Sequence, residues 1–532
     1  MPDRDPFSQV SLDVRVGYGA GMPAPRPETP VHVALLGDFA GRGARDAAVP
    51  LARRRPIVVD RDDLDAALAR LAPELELALG DGLPTVRARF TSLDDFHPDH
   101  LYARLPLFGE LRDLRRRLAD PATFAAAAAE LGGGGASATS ASSPPATPRA
   151  AGRPDPAGAA ARLAGGSLLD EIVGAAGDAP AGVEQADDLA SFIRAAVRPH
   201  LVPRPDPRQA ELLASVDAAT TSLLRLVLGH PAVRALEVLW RGLDLLVRRV
   251  ETGSQLRLAI LDVAREELAA AVAGDDPGVV AHDGSLATLL RDGAAAMPTA
   301  APWSAIVGLY AFEATADDAR LLDRLARVAA AAGAPWLSAA AASVAVAAGV
   351  EDGEDREDRE DREDARDVEG MAAWRALRAS PQARWLGLAW PALLLRLPYG
   401  EDGEPTDAVP FEELEAELPY APAAARLLWG NAALVPALAL TAAFAADGWE
   451  MRQGAHLDVE RLPLHLHRGE GAVTAVPPGG RLLGEHDALR LLDAGIMPVL
   501  SHRDGDVVRL GRLQSVAEPP AVLAGRWAGT RA

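Results

Sequence analysis

Apolar and polar positions divide the chain into three textures. Between Val31 and Leu131, short pieces of strand and helix period follow one another. Val31–Leu36 is a compact apolar run, and Leu75–Leu79 and Val86–Phe90 alternate with period two, so all three are expected as strands. Residues 62–71 carry the helical period, with Asp60 or Asp62 placed to cap the first turn and to set negative charge at the positive end of the helix dipole. Leu101, Leu105, Phe108, Leu111, Leu114 and Leu118 fall on one face of a helix expected over 101–118. Arg112, Arg115, Arg116 and Arg117 surround that face and read as solvated, with a partner or acidic contact as the alternative.

The texture changes at Gly132. Residues 132–166 are Gly, Ser, Pro and Ala with few large apolar side chains, the composition of a flexible linker spanning on the order of 30 Å. From Ser167 onward helical periods dominate, with strands expected at Leu256–Val263 and Ile306–Tyr310. Ala329–Val350 and Ala432–Ala446 read as buried helices; the first is interrupted by Gly333 and Pro335 and the second is short of the roughly 20 residues a membrane span needs. Residues 351–367 hold eleven acidic against four basic residues, a solvated insertion unable to bury apolar surface.

Composition narrows the chemistry. A chain of 532 residues could bury roughly 75% of its unfolded surface, across several packed regions. Its net charge of -21 disfavours a nucleic-acid partner, which calls for a dense positive face. There is no cysteine, and all 54 basic residues are arginine. Thiolate nucleophiles, disulfides, cysteine metal sites, Schiff bases and a lysine-bearing phosphate loop are therefore excluded. The N-terminus lacks the basic and apolar regions of a signal peptide, so a cytoplasmic protein without membrane insertion is expected.

The remaining candidates for chemistry read as structure. His97 and His100 flank Pro98, which suits a turn, and His465 and His467 would share one strand face; neither pair has a third metal ligand at a recognisable spacing. The run Gly37-Asp38-Phe39-Ala40-Gly41-Arg42-Gly43 does not have dinucleotide-loop spacing and reads as a turn closing a strand. Asp62-Asp63 and Asp94-Asp95 sit at expected helix starts, where capping accounts for them. No enzyme activity, cofactor or metal is expected.

Two sets of ordered motifs carry a resemblance. The first is Val33 to Gly41, Arg55 to Leu64, the Leu71-Ala72-Pro73 turn, Phe90 to Pro98 and the helix after it. The second is His230-Pro231, Leu236-Glu237-Val238-Leu239-Trp240-Arg241-Gly242-Leu243, Ala334-Pro335-Trp336, Trp385-Leu386-Gly387-Leu388, Arg396-Leu397-Pro398-Tyr399-Gly400, Leu427-Leu428-Trp429-Gly430-Asn431, Gly448-Trp449 and Gly495-Ile496-Met497-Pro498-Val499. The first set resembles the small subunit, and the second the large subunit, of the contractile sheath of type VI secretion systems. The boxes holding Trp240, Arg241, Gly242, Arg396, Pro398, Tyr399, Gly400, Trp429 and Gly430 are read as packing anchors, a large aromatic followed by a glycine where backbones approach closely.

The resemblance implies an α/β (α+β) contractile-sheath-like fold, two interlocked segments with mixed sheets flanked by helices. It divides the chain into a small-subunit-like domain 1–131, a linker 132–166 and a large-subunit-like domain 167–532 carrying the insertion 351–367. Such a natural fusion would hold its ends at an effective concentration of order millimolar. The implied function is a structural sheath component that assembles around an inner tube and drives or regulates contraction, with other sheath protomers and the inner-tube protein as partners. Large subunits continue past the Gly-Ile-x-Pro-x region into terminal strands exchanged between protomers, whereas this chain stops at Ala532. An accessory, capping or baseplate-associated role is the second expectation, and an enzyme or ligand-binding protein reusing the fold the third. Ser167-Leu168-Leu169-Asp170-Glu171-Ile172-Val173 opens with a capping signature and aligns Leu168, Leu169, Ile172 and Val173 on one stripe. Resemblance implies that such a helix is bound by a AAA+ unfoldase; docking on the chain's own core is the alternative.

Overall fold

Strand β1 (Val31–Gly37) is buried along its whole length, as a central strand of a sheet covered on both faces must be. The computed structural model describes residues 25–42, 49–80, 83–133, 206–274, 279, 282, 284–350, 368–415, 417–452, 454–469 and 472–527. The remaining strands are β2 (Ile57–Val59), β3 (Glu74–Leu77), β4 (Val86–Arg89), β5 (Leu256–Asp262), β6 (Ala305–Phe312), β7 (Trp336–Ala340), β8 (Leu386–Trp390), β9 (Leu393–Arg396), β10 (Leu428–Gly430), β11 (Asp458–Val459), β12 (His465–Gly469), β13 (Ala472–Val476), β14 (Ile496–Ser501) and β15 (Val508–Leu510). Nine of them form one sheet in the order β11-β15-β14-β8-β7-β6-β1-β5-β2. Pairing is parallel from β14 through to β5 and antiparallel at both margins, giving the expected mixed α/β architecture.

The strand order interleaves distant parts of the chain. β1 lies between β5 and β6, with Val33 opposite both Leu258 and Ala305, and β2 closes the edge beyond β5. One face of the sheet, with Ala34, Leu36, Ala259, Leu261 and Ile306, is buried together with Leu286 and Leu289 of helix Ser285–Ala296 and Leu322 and Leu325 of helix Ala316–Ala332. On the other face Val31, Val33 and Val307 meet Ala437, Leu440 and Phe444 of helix Leu434–Asp447 around a small void. All these elements belong to one compact unit, Met1–Gly109 with Ala219–Ala532.

The second unit, Glu110–Ala218, has its own small core of Leu118, Phe124, Ala127 and Val216. Several of its arginines are engaged: Arg115 Nε donates to Asp217 at 2.6 Å, Arg116 to Asp113 at 2.8 Å and Arg117 to Glu130 at 2.7 Å. Among the described residues one helix, Pro207–Gly229, is long and apolar enough to cross a membrane by length and composition, a feature that the sequence reading did not single out.

The strands expected at residues 31–36, 75–79, 86–90, 256–263 and 306–310 are present within a residue or two at most ends. Two helix expectations are corrected. The helix over 101–118 is broken into Pro98–Arg104 and Gly109–Ala119, because Pro106 interrupts the ladder and starts a short 3-10 turn. Residues 329–350 are the end of one helix, strand β7 and a further helix Ala342–Ala347, since Gly333 caps the first in the left-handed conformation and Pro335 cannot continue it. Neither capping candidate caps the helix, which spans Leu64–Leu71 with Asp63 at its N-cap and no side-chain cap; Asp60 closes the turn before it, accepting the backbone N–H groups of Asp62 and Asp63 at 2.9 and 3.0 Å. Most of the linker, the Leu168, Leu169, Ile172 and Val173 stripe and the acidic insertion lie outside the described residues.

Candidate functional site

Helix Pro231–Arg249 turns Val233, Leu236, Trp240, Leu243 and Val247 inward, and Glu237 falls within that apolar stripe with no exposed surface. A buried carboxylate must be paired, and its partners come from the two arginine boxes. Arg241, one turn on, donates through Nε to Glu237 at 2.7 Å, and Arg396 at the end of β9 does the same at 2.7 Å. Arg396 also bonds Glu413 with both terminal nitrogens, at 2.6 and 3.1 Å. Its guanidinium lies 4.0 Å from the centre of the Tyr399 ring. The Tyr399 backbone N–H donates to Glu413 at 2.9 Å and its hydroxyl accepts from Arg241 at 2.7 Å. Burial alone would raise the Glu237 pKa, but Arg396 and Arg241 outweigh it and hold the carboxyl below the usual range. Burial and the Glu237 charge push the Tyr399 hydroxyl well up.

The other boxes shape the surrounding chain. Gly400 has φ of 143°, and a methyl group there would overlap the Glu412 carboxylate. Pro398 offers its carbonyl to the N–H of Glu404 at 3.1 Å. A Cβ at Gly242 would lie 2.9 Å from Leu434, and one at Gly430 2.7 Å from Leu395. The close approaches at Gly242, Gly400 and Gly430 are therefore to side chains, and not to backbone as the motif reading expected. Trp429 donates to the carbonyl of Ala424 at 2.9 Å.

The N-terminal part of the chain closes around this network. Trp240, without exposed surface, donates its indole N–H to the Phe39 carbonyl at 3.1 Å and meets the Phe39 ring edge-on at 5.4 Å. His97 stands edge-on to Tyr399 at 5.1 Å. Asp99 accepts the N–H groups of Asp407 and Ala408 at 2.9 and 3.0 Å, fastening the loop that carries Glu412 and Glu413.

A second cluster lies at the carboxyl ends of β1 and β5, where open α/β sheets commonly bind ligands. Here the turn after β1 occupies it. Asp262 accepts the Ala40 N–H at 2.9 Å and pairs with Arg42, while Arg54 donates to the Asp262 carbonyl at 2.6 Å and grips Glu267 with both terminal nitrogens. Burial raises the Asp262 pKa against the pull of Arg42, whereas the Arg54 hydrogen bond lowers that of Glu267. A carboxylate at the heart of this turn suits binding of the chain's own amides and guanidinium, not of a phosphate. Asp95 is likewise structural, accepting the N–H groups of Thr91 and Ser92 at 2.6 and 3.1 Å.

The histidine pairs are placed plainly. His97 caps helix Pro98–Arg104, accepting the Asp99 N–H at 3.2 Å, and its ring lies 6.2 Å from that of His100. His465 and His467 share β12, the first buried and the second edge-on to Tyr420. Among the described residues no group of three or more His, Asp or Glu is arranged to hold a metal ion.

Motif reading singled out Arg241, Arg396 and Tyr399; Glu237 lay inside a motif without being given a role, and Glu413, Asp262 and Glu267 were not picked out. Glu237 left one legible signal, an acid inside an apolar stripe and four residues before an arginine. Asp262 binds the Ala40 N–H 222 residues away and Glu267 binds Arg54 213 residues away, while Glu413 follows Arg396 by 17 residues, with no helical or strand period linking the two.

Comparison with known proteins agrees with this division of labour. Residues 210–517 match the family model of VipB (EvpB), the tail sheath N-terminal domain, and residues 9–131 match that of the type VI secretion system protein VipA. Over 312 residues the chain is 28% identical to the type VI secretion system sheath protein TssC1 of Pseudomonas aeruginosa, covering 58% of this chain and 61% of that protein. Over 127 residues it is 28% identical to the sheath protein TssB1 of the same organism, covering 23% of this chain and 71% of that protein. The chain thus spans less than two thirds of the length of TssC1. It belongs to the VipB tail sheath family, and carries ahead of that region a VipA-like segment in the same polypeptide.

Proposed function

We propose that this chain is a structural subunit of a type VI secretion contractile sheath, in which a small-subunit-like and a large-subunit-like segment make one building block that stacks with further copies around an inner tube. The observation that carries this reading is the position of β1 between β5 and β6. Among the described residues β5 pairs only with β1 and β2, so the VipB-like part completes its sheet with strands from the VipA-like part. Fusion would set their ratio at one to one and make their pairing intramolecular. The work is mechanical and non-enzymatic, carried out in the cytoplasm.

Other sheath protomers and the inner-tube protein are the partners this reading requires, with baseplate proteins at the end of the assembly. Leu168, Leu169, Ile172 and Val173 are the residues we assign to a AAA+ unfoldase; a Leu169→Asp variant that is still captured by the unfoldase as well as wild type would remove that assignment. The main test is electron microscopy of the purified chain, alone and co-expressed with the inner-tube protein. Tubes or stacked rings support the reading. Monomers in both preparations overturn it, and closed caps without tubes would move the chain to an accessory role.

A further inference from the structure

His32 is the one histidine on β1, fully buried at the amino-terminal end of the strand. Its ring holds the loop that leads into β6. Nδ1 lies 3.1 Å from the Ala301 carbonyl, Nε2 lies 2.9 Å from the Thr299 hydroxyl, and the ring stands edge-on to Trp303 at 6.2 Å. The His32 backbone adds to this, its N–H facing the Ser304 hydroxyl at 3.3 Å and its carbonyl accepting the Ser304 N–H at 2.7 Å. A neutral ring satisfies both side-chain contacts, Nδ1–H donating to Ala301 and Nε2 accepting from Thr299. Ala300, between them, has a positive φ of 47°, a conformation that a residue with a side chain adopts only when its surroundings impose it.

Among the described residues the charged groups that act on the ring, Arg257 and Arg526, are both cationic. Arg257 stands opposite His32 in the β1–β5 register, and its Nε is buried without a hydrogen-bond partner among the described residues. Arg526 lies with its guanidinium 5.1 Å from the Trp449 ring, and the Trp449 indole N–H donates to the carbonyl of Thr29, just ahead of β1. The side chains that contact the ring, Thr299 and Trp303, are uncharged.

We propose that His32 is an acid-sensitive pin: while neutral it fastens the Thr299–Ser304 loop to β1, and when protonated beside Arg257 it releases that loop and loosens the seam between the VipA-like and VipB-like parts. The hydrogen bonds could survive protonation, because the Thr299 hydroxyl can turn to accept. What fails is the electrostatics, a second cation beside Arg257 in a buried site. Burial holds the His32 pKa below its ordinary value of 6.5, with Arg257 and Arg526 acting in the same direction. The pin is therefore fully set above that value and weakens as pH falls toward the lower folded value, over which range the open state of the loop gains about tenfold per pH unit. This inference concerns the seam within one chain and not polymer formation, so its failure and that of the sheath reading are separable.

The test is amide hydrogen exchange of the full, unassembled chain, followed by mass spectrometry across pH 7.5 to 5.0 and corrected for the intrinsic pH dependence of exchange. In wild type, protection of peptides covering 299–304 and the start of β1 is expected to fall once pH drops below 6.5, approaching about tenfold per pH unit. His32→Gln, which keeps a donor and an acceptor but cannot charge, should remove the pH dependence. Arg257→Gln leaves the ring in place and should shrink it. Wild-type protection that does not change with pH overturns the proposal, as does an undiminished acid effect in both variants. Should His32→Gln fail to fold, the wild-type and Arg257→Gln profiles decide.

Discussion

Arg396 is buried with 3% of its side chain exposed, and of the charges that justify it Glu237 is buried and Glu413 keeps 9% of its side chain exposed. Such a network adds little net stability over an apolar core, yet removing one member leaves an uncompensated buried charge that costs about 3–5 kcal/mol. Arg396→Met is expected to lose stability on that scale in urea unfolding. Glu413→Gln, which keeps the shape and part of the hydrogen bonding, should lose less, about 1–3 kcal/mol. Equal losses in the two variants would mean that charge is not what the site needs. Gly400→Ala should cost about 1–3 kcal/mol through its positive φ, and displace Glu412 as well. Acid acts on the same residues with a definite sign. Glu237 and Glu267 both titrate below the ordinary value of 4.5, so their contributions are present above it and are lost as pH falls through the lowered folded values. Asp262, raised by burial, works the other way, its contribution present below 3.8 and lost as pH rises through the folded value. Unfolding midpoints measured from pH 6 to 3 should therefore fall, and fall less steeply in Glu267→Gln, where one of the lowered groups is gone.

At the scale of elements, β1 and β5 depend on each other. Both are near-continuous apolar runs, which marks them in the sequence as strands buried on two faces. Their pairing could not be read there, because periodicity reports which faces are buried and not which strand lies alongside. Trp240 shows the same limit: its apolar helix stripe was legible, but its hydrogen bond to Phe39, 201 residues earlier, was not. A polypeptide of residues 207–532 without the N-terminal part should expose both edges of β5 and aggregate. Co-expression with residues 25–133 should return it to the soluble fraction. Solubility of the C-terminal piece alone, with unchanged secondary structure by circular dichroism, would contradict the shared sheet.

For the whole molecule, the seam predicts what a cut would do. A protease site placed between Gly133 and Pro207, once cleaved, should leave the two pieces eluting together in size exclusion at physiological salt. Trp240→Ala combined with Arg54→Ala should make the cut chain separate, since these residues join the parts through Phe39 and Glu267. Pieces that part immediately after cleavage of the wild type would remove the basis for treating the chain as one building block.

Local pattern was enough to place five of the fifteen described strands, β1, β3, β4, β5 and β6, and the helices Leu64–Leu71 and Leu434–Asp447 to within a few residues, because burial on a strand or helix imprints a period on neighbouring residues, and composition was enough to exclude cysteine and lysine chemistry. Ordered motifs were enough to identify the family. Only the folded chain could decide that β1 enters the sheet between β5 and β6, and that Glu237, Glu267 and Asp262 answer arginines from other elements. Those outcomes depend on which distant surfaces meet, a property of the whole packing that leaves no period in the neighbouring sequence.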